Sequence, residues 1–279
     1  MTSSRRKGAE RELTSIRLYS PEHPDGSDLD SVSEFLKGYL PSVEVRIEAP
    51  ILDGLPGRAL GDVSAKLANS RVKDPSNRNQ SYEPMLGEVS FEERAARGKA
   101  RVGGVVYDGR KLAEVYAALL TTDLGLEVAG IVFTQRLVST YSRDDLRHHL
   151  RTVVCGFPSI VSIPGVIEGP ARPRDYYVLR RELESMGAGD LRLERLKSEF
   201  RGRFIDYGDP VVNDVLKSLA LQAVLFHMTL KPFCNHPDCR LFNAHWQEEL
   251  VRTHVKGGGL CRRHERLLRQ LGNRPLLMW

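Results

Sequence analysis

The sequence predicts an α/β protein: a mixed, mainly parallel sheet flanked by helices, with a helical C-terminal zinc-binding subdomain. Three observations predict it. The chain opens strand, helix, strand; a central apolar run has the β-rich composition of a strand covered on both faces; and three of the four cysteines crowd with four histidines into FCNHPDCRLFNAHWQEELVRTHVKGGGLCRRH.

Size and composition set the frame. A chain of 279 residues, 41% hydrophobic and 28% charged, can build a full core and has the balance of a folded domain, which excludes bulk disorder. No run approaches the length of a membrane span or a secretion signal, so the expected location is cytoplasmic and away from the membrane. The polar, basic start reads as a flexible leader over residues 1–12, followed by an α/β domain over 13–231 and the zinc subdomain over 232–279. A net charge of +5 suits nucleic acid or an acidic surface, and equally a solvated exterior.

LTSIRLYS (13–20) and VEVRIEA (43–49) read as strands around the amphipathic helix DLDSVSEFLKGYL, with Asp28 or Asp30 as its cap. A short helix follows over DVSAKLANS. Residues 73–99 lack sustained periodicity and read as a long irregular excursion with one helical turn at most. After the turn signal YDG come the helix RKLAEVYAALLT and the buried strand run EVAGIVFTQRLV. RTVVCGFPSIVSI supplies a further strand or hairpin, in which Cys155 reads as a small buried hydrophobe.

Helical content then rises. Pro173 suits the first turn of PRDYYVLRRELESM, whose expected buried side carries Tyr176, Leu179, Leu183 and Met186, and LRLERLKSEF forms the next helix. Asp209 and Pro210 open, and Pro232 closes, a helix of about five turns that is apolar on nearly all sides in its second half. Such a helix belongs in the middle of a protein.

Cys234 and Cys239 form one hook and Cys261 and His264 a second. Two hooks at the ends of a helical connection are the usual way to gather four ligands around one Zn ion. His236, His245 and His254 compete with His264 for the fourth place. Asn243 is the expected cap of the connecting helix, and the position of His254 near its end suits the helix dipole without a metal. Four protein donors leave no position for a substrate water, so the expected ion is structural.

This block resembles the C-terminal part of the archaemetzincins, zinc metallopeptidases with the pattern HExxHxxGxxxC, four residues, C, x, M, and CxxC after a spacer. Cys234, Cys239 and Cys261 fall on the first three cysteines, and His264 stands in place of the last. IVFTQRLVSTYSRDD, GFPSIVSIPGVIEGPARPRDYY and CRLFNAHWQEEL also resemble an uncharacterised archaeal metallopeptidase group. The resemblance implies a metzincin-like fold. It also implies a catalytic HExxH at residues 223–227, where this chain has Ala223, Val224, Leu225, Phe226 and His227. The family's glycine, third histidine and Met-turn methionine fall on Leu230, Phe233 and Leu241.

One imidazole cannot hold a catalytic zinc, and Val224 supplies no general base. The expectation is therefore a metallopeptidase relative with one structural zinc, no proteolytic activity, and a groove for a peptide or protein partner. Two alternatives stand beside it. One is an active hydrolase with relocated ligands, using His227 with His148, Asp206 or Asp209. The other is a nucleic-acid binder working through Arg262, Arg263, Arg266 and Arg269.

Overall fold

Strand β1 (Ser15–Tyr19), helix α1 (Leu29–Tyr39) and strand β2 (Glu44–Glu48) form the expected opening, with Asp28 accepting a hydrogen bond from Ser31 N as the helix cap. A computed structural model describes residues 11–23, 26–78, 82–120 and 124–279. The leader expected over residues 1–12 lies outside the described residues except for Arg11 and Glu12. Those two pair with the C-terminal segment, Glu12 bridging to Arg274 at 2.7 Å.

Helices α2 (Gly57–Asn69) and α3 (Leu86–Ala96) precede β3 (Val106–Asp108) and α4 (Gly109–Leu119). The central apolar run breaks at Gln135 and Arg136 into β4 (Val128–Thr134) and β5 (Leu137–Ser142). Then come β6 (Arg147–Arg151), β7 (Val153–Val154) and β8 (Ser159–Ser162). The helices α5 (Ile163–Glu168), α6 (Arg174–Ser185), α7 (Asp190–Glu199) and α8 (Val212–Thr229) follow. The chain closes with α9 (Gln247–Leu250), a π-helical continuation (Val251–Gly257) and α10 (Arg262–Asn273).

The main sheet has the order β2-β1-β4-β8-β7 and is parallel except for the edge strand β7; β3, β5 and β6 make a second, mixed sheet. Alternation along the strands builds two cores. Ile16, Leu18, Ile131, Phe133 and Val161 point to the side of α1 and α8, while Tyr19, Val132 and Ile160 join Leu67, Leu112 and Tyr116 of α2 and α4. The fold is α/β, with largely parallel sheets between helices and a helical C-terminal region carrying the cysteines. Cys234, Cys239, Leu250 and Leu268 pack into the same core as Ile16 and Leu219. No helix among the described residues is long and apolar enough to cross a membrane.

Four elements depart from the sequence reading. Residues 73–99 contain an 11-residue helix, α3, whose buried side is acidic; hydrophobic periodicity could not reveal it. Glu88 and Glu92, one turn apart, face Arg71, Lys73 and Arg136. Of the apolar positions on α6, Tyr176 is buried and Leu183 half-buried, while Leu179 and Met186 are 39% and 66% exposed, because only the small Tyr176–Leu196–Phe200–Phe204 cluster covers that helix. Helix α8 ends before Pro232 as expected, with Leu230 in the left-handed region at φ 57°, but it begins at Val212, after Asp209 and Pro210, and no side chain among the described residues caps it. The helix after Trp246 is capped by Glu249, which accepts hydrogen bonds from His245 N and Trp246 N, and not by Asn243.

Arg136 sits fully buried between the sheets and α3. Its Nη2 bonds Glu92 at 2.9 Å and its Nη1 bonds Glu22. Tyr107 donates to Glu92 at 2.8 Å, and Thr134 donates to Glu22 at 2.9 Å. Burial works against the guanidinium charge, but the two carboxylates outweigh it and hold Arg136 firmly charged.

Candidate metal centre

The first hook is a tight turn. Cys234 N bonds Leu241 O, Cys239 N bonds His236 O and Phe242 N bonds Cys239 O, so the two thiols converge on one side. Arg252 Nη2 clamps it from outside through Pro237 O at 3.2 Å. The second hook uses helix geometry: Cys261 is the residue before α10 and His264 lies in its first turn, three positions on, so both side chains share a face.

The four donor atoms of Cys234, Cys239, Cys261 and His264 lie within 4.8 Å of one another, and three of the residues are buried. The sulfurs of Cys234 and Cys261 are 3.8 Å apart, and His264 Nδ1 is 3.2 Å from Cys261 Sγ and 3.9 Å from Cys239 Sγ. A tetrahedral ion with bonds of about 2.3 Å to sulfur and about 2.0 Å to nitrogen sets edges of about 3.5–3.8 Å. The cluster can therefore hold a metal ion with small adjustments.

The surroundings favour the ligating forms unevenly. Burial pushes the Cys239 thiol up to about 12. Burial acts the same way on Cys261, but hydrogen bonds, led by that from the His264 backbone, bring it below the ordinary thiol value. Desolvation, then the Arg263 charge, lowers His264 and favours the neutral imidazole a metal requires. Backbone N–H groups of His236 and Cys261 point at Cys234 Sγ and Cys239 Sγ at 3.3 and 3.4 Å, where they stabilise thiolate charge.

The rival histidines stand apart from this set. His236 is exposed, with Nδ1 accepting from Asp238 N, and His245 is exposed on the rim of a groove. His254 is buried, neither ring nitrogen reaches hydrogen-bond geometry among the described residues, and burial drives it down to about 4, opposed only by the nearby Phe242 carbonyl.

A family model described as "Probable metallopeptidase family (DUF6775)" matches residues 12–271. The chain belongs to this family. No curated protein matches it. A solved archaemetzincin from Methanopyrus kandleri aligns with a TM-score of 0.44 at 13% identity, over 92% of this chain and 94% of that one.

In this family member, His227 lies on α8 with its Nε2 2.7 Å from Leu126 O and its ring edge-on to Phe157. Burial lowers its basicity. Its carbonyl accepts from Trp279 Nε1 at 2.5 Å. Among the described residues, only the Cys3His set gathers three or more His, Cys, Asp or Glu donors. His148 Nδ1 is 3.1 Å from Ser139 Oγ, and His149 pairs with Asp145. Cys155 is half-buried against the core, its thiol pushed up to about 12 by burial, as suits an inert hydrophobe.

The sequence reading missed a groove of about 640 Å³. One wall is β7 with the end of β6; the other is the segment at Gly169–Ala171, tied to His245–Gln247 by hydrogen bonds from Ala171 N to His245 O and from Gln247 N to Ala171 O. Gly165 lets α5 lie directly on β6, since a Cβ there would come 2.2 Å from Arg151 O.

Proposed function

We propose that this member of the metallopeptidase family carries one structural zinc on Cys234, Cys239, Cys261 and His264, has no proteolytic activity, and binds an extended peptide or protein segment in the groove beside β7. The observation that carries the reading is the donor count. Four protein atoms fill a tetrahedral shell, which leaves no site for a reactive water, and the imidazole of His227 is engaged with a carbonyl. The zinc would cross-link the two hooks and seat α10 against the core.

Binding follows from the sheet edge. β7 pairs with β8 on one side only, and an extended chain can add to such an edge through its main-chain groups while side chains settle in the groove. The test combines metal stoichiometry with a peptidase assay on casein and a peptide library. One zinc per chain and no cleavage support the reading; two zincs with chelator-sensitive hydrolysis overturn it.

A second reading has its own observation. Arg262, Arg263, Arg266 and Arg269 are all exposed on α10, a basic face of the kind that meets phosphate backbones. Binding of generic DNA or RNA that weakens steeply with salt would favour it.

A further inference from the structure

The groove beside β7 has a one-sided charge. Its lining includes Arg110, His149, Arg151 and His245 and no aspartate or glutamate. Four cationic or protonatable groups from three separate segments meet around one cavity.

Two of them lack a carboxylate partner among the described residues. Arg151 is half-buried, and its only side-chain hydrogen bond among the described residues runs from Nε to Thr140 Oγ1 at 2.7 Å. Its two terminal nitrogens, the fork that grips a carboxylate, have no acceptor among the described residues. Desolvation therefore lowers its basicity, with only the more distant Asp145 opposing. Arg110 is exposed at the start of α4, and among the described residues no carboxylate lies within ion-pair distance of it. The acids nearby are engaged elsewhere: Asp145 is shared between Arg147 and His149 at 2.7 Å each, Asp108 accepts from the Arg110 backbone N at 2.9 Å, and Glu249 accepts from His245 N at 2.9 Å. A half-buried arginine without a counter-charge is costly unless an anion arrives with the ligand.

We infer that the groove selects an acidic extended peptide, with carboxylates seated on Arg151 and Arg110 while its backbone pairs with the free edge of β7. The inference rests on the peptide-binding reading above and adds the class of peptide. The remaining lining suits such a chain: Leu150, Val153, Val154, Ala171 and Phe233 offer apolar contact for the side chains between the acidic ones. Nucleic acid fits less well. The groove's lining has no lysine, and a phosphodiester chain cannot pair with a strand edge.

The test is fluorescence anisotropy on the zinc-loaded full chain with two labelled seven-residue peptides, one alternating valine and glutamate and one alternating valine and glutamine. The acidic probe should bind at least about tenfold more tightly. Arg151→Gln and Arg110→Gln should each weaken the acidic probe by about fivefold or more and leave the glutamine probe unchanged. Because Arg110 is exposed, its variant reads the charge effect even if the Arg151 variant is destabilised. Equal affinity for the two probes overturns the acidic preference and leaves peptide binding standing; no binding of either overturns both. Tighter binding of a single-stranded oligothymidine, lost in the same two variants, replaces the peptide with nucleic acid.

Discussion

Two polar clusters lie inside this molecule and solve the same problem in opposite ways. Around Arg136 the interior supplies both signs of charge: Glu22 and Glu92 flank the guanidinium, and Tyr107 and Thr134 donate further hydrogen bonds to those carboxylates. Around Cys239 the interior supplies donors of one kind, three sulfurs and an imidazole, with no cationic side chain closing the set. The first cluster carries its own counter-charges, whereas the second gathers donors capable of coordinating a metal ion.

The comparison can be broken most severely at the metal hooks. Chelation, or Cys239→Ala, should remove a contribution on the order of 10 kcal/mol to the local folding of the C-terminal region. Hydrogen exchange should then rise over residues 232–261 while β1 and β4 stay protected. At the other cluster, Arg136→Met leaves Glu22 buried without its counter-charge, while Glu92 keeps Arg71, and should cost about 3–5 kcal/mol in denaturant unfolding. It should not change metal content.

A third, smaller effect belongs to His254, which is buried without a hydrogen bond to its ring among the described residues. Its folded-state value of about 4 lies below the ordinary 6.5 because burial disfavours the charged ring. The unfolded chain therefore takes up the proton first. This contribution to stability is intact above about pH 6.5 and is lost as pH falls toward 4, by up to about 3 kcal/mol. Comparing His254→Phe with the parent across that window isolates the effect, because the variant should lack this part of the acid dependence. The smallest change is expected at His227: His227→Leu leaves Leu126 O without its partner, costs about 1–2 kcal/mol, and leaves the zinc count as it was.

Much of this architecture was legible in the sequence, and the misses share a cause. Helix α8 and the two hooks stood out because a long apolar run and short Cys/His spacings are local signals. Helix α3 was hidden because its buried positions are Glu88 and Glu92, which hydrophobic patterning reads as surface. Helix α6 misled in the opposite sense, since Leu179 and Met186 have the right spacing and no core to face. The cationic groove was invisible because Arg110, Arg151 and His245 come from three segments that only the fold brings together.

The proposed ion and its four donors are read by X-ray absorption at the zinc edge of the purified protein. The expected spectrum is a single shell of three sulfurs at about 2.3 Å and one nitrogen at about 2.0 Å. Cys261→Ser should disrupt the shell and His227→Leu should leave it unchanged. A shell of nitrogen and oxygen without sulfur, or one that responds to His227, would contradict this set of donors.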